Sequence, residues 1–268
     1  MLKARVLSSV VLVILMAGGI FAGSNIFAAI LLLISVIGMS EIYKIYGINK
    51  KFPGFVGYFM IIVYDIAALL YGEKYSLFLI VAGLILCMLI FVACFPEYNT
   101  NQIMAVFFGY VYVGVMLSYV FRIRCMEAGF VLIWLVFICS WINDTCAYLV
   151  GVRFGKHKMS PKLSPKKSVE GAIGGIVGTA LIAALYGYIF RNQLTNLTNP
   201  CIVCAGACAL GAVVSMIGDL AASAIKRDHQ VKDYGNVIPG HGGILDRFDS
   251  MIFTAPIIYW IVNLFANL

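Results

Sequence analysis

The sequence predicts an all-α, polytopic integral membrane protein with about nine transmembrane helices, and three observations carry that prediction. Apolar residues make up 62% of the 268 positions, above the roughly 45–50% that soluble domains reach even with glycine included. Charged residues make up only 12%, half the usual fraction of about 25%, and mean hydropathy is +0.98. The apolar residues also gather into runs of about 20, the length that crosses hydrocarbon as a helix. In lipid only helices and closed barrels satisfy their own backbone. A water-soluble enzyme is excluded.

The runs cover residues 4–23, 24–43, 54–72, 76–95, 102–121, 129–150, 170–190, 201–219 and 250–267. The first follows Lys3 and Arg5, as a signal peptide would. A second span begins at once and no clear small-residue cleavage site intervenes, so the first is read as a retained helix. Spans two to five are generic hydrophobic helices. The sixth carries Asp144, and a carboxylate inside a span costs roughly 2.5–3.5 kcal/mol, so it should face a cavity and a cation. The seventh opens with Gly171, Gly174, Gly175 and Gly178, a small-residue face that lets helices pack closely. The eighth carries Cys201, Cys204 and Cys208 on one face without a nearby histidine, which reads as packing rather than zinc binding. The ninth follows a glycine-rich loop. No disulfide framework and no internal repeat is evident, and paired broken helices of the transporter kind are lacking.

An odd number of spans puts the N-terminus on the same side as the loops after spans two, four, six and eight. Of the 19 basic residues, only Lys74, Arg122, Arg124 and Arg191 fall on the other side. By the positive-inside rule the richer side is cytoplasmic, and the net charge of +7 is concentrated where it can meet anionic headgroups or phosphates. For Lys44, Lys50 and Lys51 topology alone accounts for the charge. The loops after spans six and eight are the two longest and hold most of the polar residues, so function should be sought there.

The first of these regions runs Asn143 Asp144 Thr145 Cys146 Ala147 Tyr148, then Phe154 Gly155 Lys156, then Ser164 Pro165 Lys166 Lys167 Ser168 Val169 Glu170 Gly171. The Ser-Pro-Lys-Lys-Ser segment ends where span seven begins, which aims helix N–H groups and two ammonium groups at one place and suits an anion. The second begins at Asp219. If the helix persists past the membrane, Asp219, Ser223, Lys226 and Arg227 share one face, offering a carboxylate, a hydroxyl and two phosphate-binding cations in a row. Lys232 Asp233 Tyr234 Gly235 follows, then Ile238 Pro239 Gly240 His241 Gly242 Gly243 Ile244 Leu245 Asp246 Arg247 Phe248 Asp249. Glycine suits a backbone that approaches a ligand closely or takes positive φ. Asp246 and Asp249, three apart, can direct both carboxylates toward a metal. His241 fits a ligand, a phosphate donor or a loop-packing residue equally well.

These motifs resemble the phosphatidate cytidylyltransferase, or CDP-diacylglycerol synthase, family. Its signature is S-x-hydrophobic-K-R, four residues, K-D-x-small, two residues, hydrophobic-P-x-H-G-G-hydrophobic-x-D-R-hydrophobic-D, and residues 223–249 match it at all 17 constrained positions. The upstream block is similar too, with Ser168 where threonine is more usual. The resemblance covers about residues 140–250. It implies a catalytic membrane domain over 126–268, with cytoplasmic loops at about 151–169 and 220–249, preceded by membrane helices of unassigned role over 1–125.

The resemblance further implies that CTP and phosphatidate give CDP-diacylglycerol and pyrophosphate in the cell (inner) membrane, at a site facing the cytoplasm. Asp219 and Asp246 are then the leading ligands for Mg2+, with Asp249 and Asp144 as second ligands or their support, and with room for a second metal ion. Asp219, Asp246, Ser223, Lys226 and Arg227 form the catalytic set. Lys166, Lys167, Ser168, Lys232, His241, Gly242, Gly243 and Arg247 form the substrate-binding set. Spacing leaves open which cation meets which phosphate. The partners are CTP and a membrane lipid phosphate, without nucleic acid, and a homodimer is left open. Two other readings stand beside this one: CTP-dependent activation of an isoprenoid or ether-lipid phosphate, and a cation-coupled transporter using Asp65, Asp144 and Asp219.

The charge asymmetry predicts that the C-terminus lies outside. A cysteine placed at Leu268 in an otherwise cysteine-free chain should react with an impermeant maleimide on intact cells. Reaction only after permeabilisation would mean that the spans are miscounted.

Overall fold

The computed structural model describes residues 2–161, 163–238 and 242–266, with side chains from residue 10 onward. Among the described residues nine helices follow one another: α1 (Leu2–Ala22), α2 (Ser24–Ile45), α3 (Phe52–Tyr71), α4 (Ser76–Ala93), α5 (Thr100–Cys125), α6 (Gly129–Phe154), α7 (Val169–Ile189), α8 (Pro200–Asp228) and α9 (Leu245–Phe265). Eight are long and apolar enough to cross a membrane, and α1 contains the shorter apolar run Val10–Ala22. This is the architecture of an integral membrane protein. The loop after α6 holds the two-stranded antiparallel ribbon β1 (Lys158–Ser160) and β2 (Ser164–Ser168), with Lys158 opposite Ser168.

Local chemistry sets the helix starts. Pro53 and Pro200 occupy the first turns of α3 and α8, where a missing N–H costs nothing. Asn99 and Gln102 form a reciprocal capping box at α5, which satisfies two N–H groups that the helix cannot. Both α5 and α6 contain a π-helical stretch, Tyr110–Val115 and Ile138–Ile142.

The chain forms two compact units, Met1–Arg122 with Asp233–Arg247, and Ile123–Lys232 with Phe248–Leu268. In the first, Tyr43 of α2 is fully buried and its hydroxyl donates to the Val106 carbonyl at 2.8 Å. Gly57 of α3 and Gly109 of α5 make that possible, because a methyl group on either would collide with the Tyr43 ring. Arg122, only 6% exposed, donates to Glu73 (3.0 Å), the Tyr64 hydroxyl (2.8 Å) and Ser76 (2.8 Å), so a charge buried in a span arrives with its partners.

In the second unit the glycine face of α7 packs on α6. A Cβ on Gly174 would lie 2.5–2.7 Å from the Val150 side chain, one on Gly178 would lie 2.6 Å from the Cys146 sulfur, and one on Gly171 would lie 2.7 Å from the Ala147 carbonyl. The expected packing role of these glycines is what the fold uses. Cys204 and Cys208 are buried, and the Cys208 thiol donates to the Leu135 carbonyl at 3.7 Å. All eight cysteines are free.

Replacing Gly174 by valine should therefore lower stability, since overpacking a close helix contact costs roughly 1–3 kcal/mol. Gly206, with nothing within 4 Å of its Cβ position, provides the control. Thermal unfolding in detergent should show Gly174→Val melting well below wild type and Gly206→Val close to it.

Candidate active site

The site in the second unit begins with the π-helical stretch Ile138–Ile142, which ends immediately before Asn143 and Asp144. Such a stretch shifts the phase of the helix and recurs at functional sites. Asn143 is fully buried, whereas Asp144 is exposed and lines a cavity of about 690 Å³. Neither amide atom of Asn143 has a hydrogen-bond partner among the described residues, and Gly175 lies so near its oxygen that a Cβ there would collide. An orphaned buried amide costs about 1–3 kcal/mol. Asn143 also lines the cavity.

The opposite wall comes from the ribbon and the start of α7. Ser168 is extended at φ −117° and its Oγ accepts the Gly171 N–H at 3.1 Å, so the N-cap of α7 is the serine itself. Glu170 accepts the backbone N–H of Lys156 (3.1 Å) and of His157 (3.2 Å), and its Oε1 lies 2.6 Å from His157 Nδ1. These bonds fasten the ribbon to the helix and bring Lys166, Lys167 and Ser168 to the cavity wall.

α8 runs unbroken to Asp228, so Asp219, Ser223, Lys226 and Arg227 do lie along one helical face, as their spacing requires. Asp219 lines the cavity with Asp144 and forms an ion pair with the Lys167 ammonium. The two side chains are 30% and 31% exposed, buried enough for the pair to be held yet open to exchange. Lys226 and Arg227 occupy the last turn, where cations complement the helix dipole. Asp249 is buried, accepts from the Ser250 N–H at 2.7 Å, and lies within electrostatic range of Asp219, Lys226 and Asp144. Lys232 is exposed.

The glycine-rich loop of the first unit is built around two carboxylates. Asp246 Oδ2 accepts the N–H groups of Tyr234 and Gly243, both at 2.9 Å. Gly242 takes φ +86°, and its Cβ position lies 2.9 Å from that same oxygen, so the turn needs glycine twice over. The second carboxylate is Glu41 of α2, which sequence reasoning passed over. It is 4% exposed and accepts the N–H groups of Ile244 (2.9 Å) and Leu245 (2.8 Å). The signal available was a lone carboxylate inside an apolar span, a type of residue that in lipid is retained for a reason. Arg247 is exposed. His241 lies outside the described residues, as do Pro239, Gly240 and Lys162.

Divalent-metal chemistry can be tested against these residues. Among the described residues no three His, Cys, Asp or Glu side chains converge tightly enough to hold a metal ion alone. Mg2+ does not need such a cage, since it is usually bound by one or two carboxylates plus substrate phosphates and water. Asp144 and Asp219, both on one cavity, fit that demand.

Residues 3–265 match the profile of the cytidylyltransferase family. The chain is 28% identical to the phosphatidate cytidylyltransferase of Bacillus subtilis (strain 168) over 276 aligned positions, covering 99% of both chains. It is 34% identical to the protein of that name from Rickettsia bellii over 167 positions, covering 62% of this chain and 72% of the other. For the protein of that name from Staphylococcus aureus (strain COL) the figure is 32% over 149 positions, 55% of this chain and 54% of the other. Because the profile extends through both units rather than the signature alone, this chain belongs to the cytidylyltransferase family, a family of nucleotidyltransferases.

Proposed function

We propose that the chain transfers CMP from CTP to phosphatidate, giving CDP-diacylglycerol and pyrophosphate, at the cytoplasmic face of the inner membrane. The reaction is the one named for its relatives. The observation that carries the reading is a single cavity holding two carboxylates, Asp144 and Asp219, together with Lys166 and Lys167. Anion-binding cations beside metal-binding acids are what joining two phosphate compounds requires.

The lipid phosphate monoester has its second pKa near 6, so at neutral pH its oxygen is already anionic and needs no strong base. That oxygen attacks the α-phosphorus of CTP in line, the bond to the bridging oxygen of the β-phosphate breaks, and pyrophosphate leaves with the electron pair. The barrier is repulsion between anions, and the protein lowers it by positioning and charge neutralisation. Mg2+ bound by Asp219 and Asp144, with Asp249 in support, would supply neutralisation at the phosphate oxygens. Lys167, which pairs with Asp219, would turn its ammonium to a phosphate once that carboxylate engages a cation. Lys226 and Arg227 would hold the triphosphate or the departing pyrophosphate, with Ser223 on the same face. Lys166, Lys167 and Ser168 would hold the lipid phosphate, whose chains would reach the cavity past the exposed Tyr148 and Val152. For Asp246, Gly242, Gly243, Lys232, Arg247 and His241 the proposal rests on the signature.

Purified protein incubated with labelled CTP, Mg2+ and a panel of lipid phosphates should yield a CDP-lipid and pyrophosphate, with phosphatidate the best acceptor. A better polyprenyl or ether-lipid phosphate would reassign the substrate, and no CDP-lipid from any acceptor would overturn the reading. Asp219→Asn, which removes a proposed metal ligand, and Asp246→Asn, which removes a carboxylate of the signature, should each lower turnover by on the order of a hundredfold or more while inserting normally. Near-normal turnover at saturating Mg2+ would remove either residue from the catalytic set.

The two basic groups should also separate kinetically. A charge-assisted phosphate contact contributes roughly 1.5–3 kcal/mol, so Arg227→Ala should weaken CTP dependence and turnover by about tenfold to a hundredfold. Lys167→Ala should instead raise the lipid concentration needed for half-maximal rate. A Lys167→Ala enzyme altered only in its CTP dependence would reverse the division.

A further inference from the structure

We infer that Glu41, on the second helix and far in sequence from the signature, is a positioning residue that holds the Asp246 loop in its working shape. The inference rests on the proposed role of that loop in cytidylyl transfer. Three independent observations support it. First, both Glu41 oxygens are used: Oε1 accepts from Ile244 and Oε2 from Leu245, two N–H groups at the start of α9 that no helical carbonyl can satisfy. Second, the loop is cut to admit this side chain. A Cβ on Gly235 would lie 2.5 Å from Glu41 Oε1, and one on Gly243 would lie 2.5 Å from both carboxylate oxygens. Third, Gly243 is shared, because its N–H donates to Asp246 Oδ2 while its α-carbon packs on Glu41. Displacing Glu41 therefore displaces the residue that orients Asp246. Glutamate near the C-terminal end of an apolar span is costly, and its buried hydrogen bonds go to this loop, so a generic role in holding α2 does not explain it.

The test uses full-length protein in detergent or nanodiscs. Glu41→Ala should lower kcat by on the order of tenfold to a hundredfold, with KM for CTP and for phosphatidate changed by less than about threefold, because Asp246 remains present but misplaced. Glu41→Gln keeps one acceptor and should fall between wild type and Glu41→Ala. Hydrogen exchange should rise at residues 234–238 and 242–245 while α3 and α5 keep their protection. Gly235→Ala should impair the wild type and add little in the Glu41→Ala background, since the added methyl group then has space. Wild-type kcat in Glu41→Ala, exchange raised uniformly across the first unit, or additive effects of Gly235→Ala and Glu41→Ala would each overturn the inference. If the wild-type protein made no CDP-lipid, the reaction reading would fall by itself, and the exchange contrast together with Gly235→Ala would still decide whether Glu41 holds the loop.

Discussion

A charge inside a hydrocarbon slab must bring its partner with it, and most of the polar architecture of this chain follows from that constraint. Arg122 meets Glu73, Tyr64 and Ser76. Asp219 meets Lys167, and Glu41 meets two backbone N–H groups. Each partner comes from a different helix or from a loop, so the pairings also fix which elements pack together. Desolvating a lone ion costs several kcal/mol, and misplacing one of these elements would strand a charge.

Close approach is the complementary device. Apolar side chains gain little from facing one another rather than lipid, so helix contacts in membranes depend on small residues that bring backbones together. Tyr43 lodged against Gly57 and Gly109, and the α7 glycines against α6, are such contacts. They are unforgiving, which suits a framework that holds polar groups in place. The same device serves the site: Gly175 backs onto Asn143, and Gly235 and Gly243 make room for Glu41.

The chemistry proposed for the chain asks little of the protein beyond such placement. A nucleophile already ionised at neutral pH needs no tuned base, and the catalytic task becomes one of gathering cations and carboxylates where two phosphate compounds can meet. That fits the charged residues of the cavity, two acids within α6 and α8 and three lysines on a short ribbon. A transporter built on the same intramembrane carboxylates would call for a conducting pathway, whereas family membership points to nucleotidyl transfer.

By itself the sequence determined the membrane class, the nine helical runs and the region where chemistry resides, because hydropathy over about 20 residues and charge density are local properties. The common face of Asp219, Ser223, Lys226 and Arg227 was legible for the same reason, since helical periodicity depends only on spacing. The packing role of the α7 glycines was likewise legible. Only tertiary structure decided that Lys167 pairs with Asp219 across 52 residues, that the Ser168 oxygen caps α7, that the loop before α7 is a two-stranded ribbon, and that Glu41 reaches Ile244 across 203 residues. These are pairings between segments distant in the chain, and no periodicity encodes them. They arise because burial removes water as a partner and leaves each polar group to find whichever donor or acceptor the fold brings within reach.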